Sequence, residues 1–339
     1  MNITTLGIDL AKNVFQLCGV NAAGAIQFNK KVTRNSLVKT LAKLPVCEIV
    51  MEACGSANYW ARVFQELGHT VKLIAPQYVK PYVKGNKNDS KDAEGIVNAS
   101  KAIGMRFVSP KSIEQQDIQS ILRIREGYIE TRTKTSNQMR GLLAEYGIVV
   151  PVGLSKLRKI LPSLFDRTQE NGLTVMMKHL LETQYNFFLM VDEQIDSLDL
   201  QLKALIEVNE KCQRLMEIEG IGVITATALY ALVGDGSGFK NGRHLAAFLG
   251  LVPKQNSSGG KNRLLGISKR GDDFVRRMFI HGARSVVLHA KKKTDARSNW
   301  INALKERASV NKVSVALANK NARIAMAILL SGKHYQKAS

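Results

Sequence analysis

Thr4-Thr5-Leu6-Gly7-Ile8-Asp9 and Cys47-Glu48-Ile49-Val50-Met51-Glu52 are short apolar runs that each end in a carboxylate. Runs of this length, rich in Leu, Ile and Val, read as buried strands. Working outward from the first run, residues 14–20 and 25–32 read as two more strands, joined by the turn Asn21-Ala22-Ala23-Gly24. Residues 36–44 read as a helix that stops before Pro45. Beyond the second run, residues 57–67 form a helix closed by Gly68, and residues 70–75 a strand ended by Pro76.

Three strands, helix, strand, helix, strand over residues 1–110 is the element order of an RNase H-like α/β domain. In such a sheet the strands ending at Asp9 and Glu52 are neighbours, so their carboxylates converge. Asp89 and Asp92, three apart in Asn88-Asp89-Ser90-Lys91-Asp92-Ala93-Glu94, share one face if that segment begins a helix. Four converging carboxylates repel one another unless a divalent cation neutralises them, and Mg²⁺ or Mn²⁺ takes oxygen ligands of this kind. Each residue alone has a plainer explanation: Asp89 as a helix cap, Asp92 as a partner of the helix dipole, Asp9 as a turn residue. The set of four favours the metal.

Residues 111–211 read as long helices. Val191, Ile195, Leu198, Leu202 and Leu205 are spaced 4, 3, 4, 3, a coiled-coil seam, and an earlier helix covers residues 118–146. Pro151, Gly153 and Pro162 are expected to break the two helices apart. The seam is covered either from within the chain or by another subunit. Residues 212–339 are basic and mostly helical, opening on Glu219-Gly220-Ile221-Gly222, a turn like that of helix-hairpin-helix modules. There, backbone amides can approach phosphate. A simple tight turn gives the same pattern.

The net charge of +21 is uneven: +7 over residues 1–110, −3 over 111–239 and +17 over 240–339. A one-sided basic block on a chain with 45% apolar residues faces a polyanion, most often nucleic acid, and excludes a disordered basic tail. Four cysteines with no CxxC pair suggest neither a zinc site nor disulfides, only reduced buried thiols. The start lacks a signal-peptide pattern and no uninterrupted apolar run spans a bilayer, so a soluble cytoplasmic protein with no membrane partner is expected.

Gly7-Ile8-Asp9-Leu10-Ala11-Lys12, Met51-Glu52-Ala53 and Asp89-Ser90-Lys91-Asp92-Ala93 resemble the motifs of the DEDD insertion-sequence transposases, the family that includes the Piv DNA invertase. Gly250-Leu251-Val252-Pro253, Ser257-Ser258-Gly259-Gly260 and Ile267-Ser268-Lys269-Arg270-Gly271 resemble the C-terminal motifs of the same family, in the same order. The resemblance implies a RuvC-like N-terminal domain with Asp9, Glu52, Asp89 and Asp92 as metal ligands. It implies recombination of double-stranded DNA between element ends and target, guided by a non-coding (bridge) RNA. It further implies a nucleophilic serine forming a 5′-phosphoserine link at Ser258, with Ser257 as the alternative, in sites composed between subunits of a dimer to tetramer. Lys254, Lys261, Arg263, Lys269, Arg270, Arg276 and Arg277 are the expected phosphate contacts. Two other readings compete: a junction-resolving nuclease using water, and a non-enzymatic architectural protein.

Overall fold

The computed structural model describes residues 2–83, 88–166 and 170–336. The chain divides into two compact units, 1–114 and 115–339.

The first unit is built on β1 (Thr5–Asp9), β2 (Val14–Val20), β3 (Ile26–Thr33), α1 (Arg34–Leu41), β4 (Glu48–Glu52), α2 (Ala57–Glu66) and β5 (Thr70–Ile74). It closes with α3 (Pro76–Val79), α4 (Asp89–Ser100) and β6 (Phe107–Val108). The six strands lie in the order β3-β2-β1-β4-β5-β6. β1, β4 and β5 are parallel, while β2, β3 and β6 run antiparallel to their neighbours. β6 is absent from the sequence expectation: two residues with no alternation leave no periodic signal.

Side chains alternate across the sheet. Leu6, Ile8, Phe15, Leu17, Ile49, Met51 and Leu73 point to one face, where they bury against Leu37 and Leu41 of α1 and Trp60 and Phe64 of α2. The opposite face carries Gly7, Cys18, Val20 and Val50 and receives α4 through Ala93, Ile96 and Val97. Asp9 and Glu52 share the parity of Gly7 and Val50. The alternation therefore places both carboxylates on the α4 side.

The second unit contains α5 (Ile113–Ala144, its first residues at the boundary), α6 (Leu154–Leu164), α7 (Val175–Val208), α8 (Glu210–Met216), α9 (Val223–Val233) and α10 (Gly242–Phe248). A two-stranded ribbon follows, β7 (Pro253–Gln255) and β8 (Leu264–Ile267), then α11 (Asp273–His289), α12 (Ala296–Lys305) and α13 (Val310–Ser331). It has two main cores. One joins Ile118 and Leu122 of α5 and Leu202 and Ile206 of α7 to α8, α9, α11 and α13. The other gathers Met139, Leu143, Leu157, Leu161, Leu181 and Phe188 around α6. No break in packing falls at residue 211, because Leu202, Ile206, Cys212 and Leu215 belong to one core.

Val191, Ile195 and Leu202 of the heptad seam are buried within the single chain. Arg125–Asp199 and Arg132–Asp192 bridges flank the pairing of α5 with α7. Of the two covers open to the seam, the intramolecular one is what the structure displays. The two long helices are separated as expected, α5 ending at Ala144 and α7 starting at Val175 with Pro151 and Gly153 between α5 and α6, but Pro162 itself sits inside the last turn of α6. The carbonyl of Arg158, four residues earlier, loses its helical donor there and instead accepts from the Tyr185 hydroxyl at 3.4 Å. Among the described residues α13 is the one helix long and apolar enough to cross a membrane. Its Val313, Leu317, Ala318, Ala322, Ala325 and Met326 are buried in the core. Cys18, Cys47 and Cys212 are buried free thiols, whereas Cys54 is exposed.

Candidate active site

Asp9 ends β1, Glu52 ends β4, and Asp89 and Asp92 lie in the first turn of α4. Because β1 and β4 pair in parallel with Ile8 opposite Met51, Asp9 and Glu52 emerge side by side from adjacent strand ends. α4 brings in the other two. Its N-cap is Asn88, whose side chain accepts from the Lys91 amide at 2.9 Å, so Asp89 is not needed as the cap. Carboxylate oxygens of Asp9, Asp89 and Asp92 all lie within 4.8 Å of one another. Glu52 stands outside that group of three, one strand over. It is close enough to Cys54 that partial burial, then the charges of Glu52 and Asp9, hold the Cys54 thiol above its ordinary value.

Two features set α4 at this height. A Cβ on Gly7 would come within 2.6 Å of Val97 and 2.7 Å of the Ala93 carbonyl, so only glycine lets the helix lie this close to β1. Asn29 of β3 then fastens the first turn. Its amide donates to Ser90 Oγ at 2.7 Å, the Ser90 carbonyl at 3.2 Å and Glu94 Oε1 at 2.9 Å, and its Oδ1 accepts from Gln16 Nε2 at 2.5 Å. Lys31, also on β3, pairs with Asp89 at 3.0 Å. Sequence reasoning missed Gln16, Asn29 and Lys31. The available signal was Gln16 between Phe15 and Leu17 in an otherwise apolar strand, since a buried polar group requires a partner.

Three aspartates with hard oxygen donors, half-exposed and held together on one face, fit a divalent cation of the Mg²⁺, Mn²⁺ or Ca²⁺ class. No nitrogen or sulfur donor of the kind zinc favours belongs to the group.

The serine segment forms the tip of the β7–β8 ribbon. Ser258 and Lys261 face each other as an isolated bridge, the Lys261 amide donates to the Ser258 carbonyl at 3.0 Å, and Gly259 and Gly260 both have positive φ (54° and 76°). This is a two-residue hairpin turn whose handedness requires such glycines. Ser257 Oγ is engaged in the ribbon, accepting from Gln255 Nε2 at 3.0 Å and the Arg263 amide at 3.2 Å. Ser258 is exposed, and among the described residues its hydroxyl has no hydrogen-bond partner.

At the base of the ribbon, Gly250 and Gly271 let two strands of backbone cross closely: Lys269 donates to the Gly250 carbonyl and Ser268 to that of Val252. Lys254, Lys261, Arg263, Lys269 and Arg270 are exposed along it. Arg276 sits differently from the expectation of a phosphate contact. It is 5% exposed, donates to the carbonyls of Arg270 (2.7 Å) and Leu249 (3.3 Å) and pairs with Asp273, so its charge pins the loop from inside. Arg277 is exposed but paired with Glu126 and Asp273, contacts that hold its guanidinium above its ordinary value. The Gly220 turn lies against Gly282 of α11, while Gly222, at the start of α9, faces open space.

Residues 6–148 match a transposase family model, the DEDD type of IS110, and residues 212–299 match the Transposase IS116/IS110/IS902 family. The chain is 47% identical over 335 residues to the transposase for insertion sequence element IS1111A of Coxiella burnetii, covering 99% of this chain and 92% of that one. The chain belongs to the IS110/IS116 family of DEDD transposases. A probable family 20 transposase of Pseudomonas aeruginosa is 46% identical, with 97% of each chain covered. The pilin gene-inverting protein of Moraxella lacunata is 24% identical over 282 residues, covering 76% of this chain and 75% of its own. Membership of this transposase family carries DNA binding, DNA cleavage and strand transfer at an insertion sequence, with a divalent metal.

Proposed function

We propose that this transposase cuts and rejoins DNA through Ser258, working with an RNase H-like, RuvC-like carboxylate domain over residues 1–110. The observation that carries the reading is the ribbon tip, where Ser258 presents an unengaged hydroxyl while Ser257 is tied into the ribbon. Ser258 Oγ attacks the scissile phosphorus, the serine proton leaves, and the P–O3′ bond breaks. The 3′ oxygen departs as a hydroxyl after gaining a proton, and the 5′ phosphate remains on serine as a diester. Reversal by a different 3′ hydroxyl joins a new strand and frees the serine. One bond of the same kind forms for each one broken, so no nucleotide cofactor is required.

Asp9, Asp89 and Asp92, with Glu52 at the adjacent strand end, would hold Mg²⁺ or Mn²⁺. Bound there, the cation would neutralise phosphate charge and orient the reacting group. Lys254, Lys261, Arg263, Lys269 and Arg270 flank the tip and would hold the backbone near it, Arg277 after exchanging its carboxylate partners for phosphate. Arg276 would keep the base of the ribbon in place. Gly222 at the open start of α9 would offer main-chain amides to phosphate, supported by the packed turn at Gly220. The central segment, 111–211, would link the carboxylate domain to the basic domain, 212–339. A guide RNA and a homo-oligomeric assembly complete the reading, drawn from the family resemblance of the motifs.

End-labelled substrate run on denaturing gels tests the serine. Wild type and Ser257→Ala are expected to give a covalent protein–DNA adduct, and Ser258→Ala none, with DNA binding retained. An adduct surviving in Ser258→Ala but lost in Ser257→Ala moves the nucleophile by one residue. Cleavage by wild type with no adduct assigns the attack to water.

A further inference from the structure

We infer that Lys31 is a built-in counter-ion of the carboxylate cluster, holding Asp89 until a divalent cation takes its place. The inference rests on the metal role of Asp9, Asp89 and Asp92.

Strand register gives the first support. Asp9 pairs with Gln16, and Gln16 pairs with Lys31, so the three form one row across β1, β2 and β3. Residues in register on neighbouring strands share a face, and two strand spacings separate the ends of the row by roughly 10 Å. A lysine side chain reaching back along that row meets α4, and Lys31 Nζ lies 3.0 Å from Asp89 Oδ2.

The second support is the clamp beside it. Asn29, two residues earlier on the same face, fixes the Ser90 turn and Glu94, so Asp89 is delivered to Lys31 by a tied helix end. Gln16 is 5% exposed, and its Nε2 holds Asn29 in turn.

Charge supplies the competition. Three aspartates within 4.8 Å repel one another, and the ammonium offsets part of that repulsion. A divalent cation brings twice the charge to the same oxygens and is itself repelled by an ammonium in hydrogen-bond range of Asp89. Both partners are exposed, at 65% and 59%, so water screens the pair and its exchange costs little. Lys31 and the cation therefore compete, and removing Lys31 should tighten metal binding. Loosening the Asn29 clamp should weaken it, an effect of opposite sign from a residue two positions away.

Mn²⁺ binding to the full chain, followed by the electron paramagnetic resonance of free Mn²⁺, tests this. Lys31→Met and Lys31→Gln should each lower the dissociation constant roughly three- to tenfold at low ionic strength, with the gain shrinking as salt rises. Lys31→Arg should keep the wild-type value, and Asn29→Ala should raise it. Unchanged or weaker binding in both Lys31→Met and Lys31→Gln, with folded circular dichroism spectra, overturns the inference. Binding that is equally tight in Asp92→Asn and wild type removes the metal role beneath it, a separate and distinguishable failure.

Discussion

Gly7 illustrates how one residue governs the carboxylate site without touching substrate. Any side chain there meets Val97 and the Ala93 carbonyl, and the carbonyl belongs to a helix that cannot yield by rotating a side chain. Gly7→Val is expected to destabilise the first unit by about 2–3 kcal/mol and to lift α4 from β1. Thermal melting should show the loss, and Mn²⁺ affinity should fall with it, because Asp89 and Asp92 travel with the helix. A variant that melts and binds Mn²⁺ like wild type would refute the close-approach account. The motif Gly7-Ile8-Asp9 was legible in the sequence. The reason for its glycine was not, since Val97 lies 90 positions away. Ser257 and Ser258 show the same limit: adjacent hydroxyls are equivalent on paper, and the ribbon's register engages only the first.

At the scale of elements, the α5–α7 pairing converts a heptad pattern into an internal core. Leu202 is fully buried among residues of its own chain. Leu202→Lys is therefore expected to unfold the second unit, at a cost of at least about 3 kcal/mol, and not merely to separate subunits. Light scattering combined with circular dichroism distinguishes the two, and a folded, monomeric variant would return the seam to an intersubunit role.

Asp192 joins three helices in the same region, bridging Arg132 of α5 and Arg158 of α6 from α7. Partial burial raises its pKa, but the hydrogen bonds and charges of Arg132 and Arg158 outweigh it and hold the carboxyl below its usual value of 3.8. A depressed carboxylate contributes stability above its unfolded pKa and loses it as pH falls through the folded one. Asp192→Asn should thus lower stability at pH 7 by about 1–2 kcal/mol, Arg158 being half-exposed and screened. The gap to wild type should close below roughly pH 4. A gap independent of pH would show that packing, not charge, makes the difference.

Across the whole molecule, charge decides how nucleic acid is met. Residues 240–339 carry +17, and Lys254, Lys261, Arg263, Lys269 and Arg270 are exposed. Each neutralised phosphate contributes a slope of about −0.9 to log K against log salt on duplex DNA. Binding is expected to weaken on the order of a hundredfold or more between 50 and 200 mM salt. Filter binding or fluorescence anisotropy measures the slope, and a flat profile would contradict electrostatic capture.

By itself, the sequence determined the first five strands in chain order, the basic stretch over residues 240–339, and the family, and it offered the helix carrying Asp89 and Asp92 only as a condition. The strands and the basic stretch follow from periodicity, turn residues and net charge, all local or additive properties of a chain, and the family from the resemblance of its short motifs. Only the tertiary structure decided which carboxylates meet within 4.8 Å, that Lys31 and Asn29 of β3 serve the same site, and that Arg276 turns inward. It also decided that the heptad seam finds its cover in α5 and that Pro162 sits inside a helix. Each of these depends on strand register or on packing between residues far apart in the chain, where a side chain's partner is fixed by the fold and leaves no trace in its immediate neighbours.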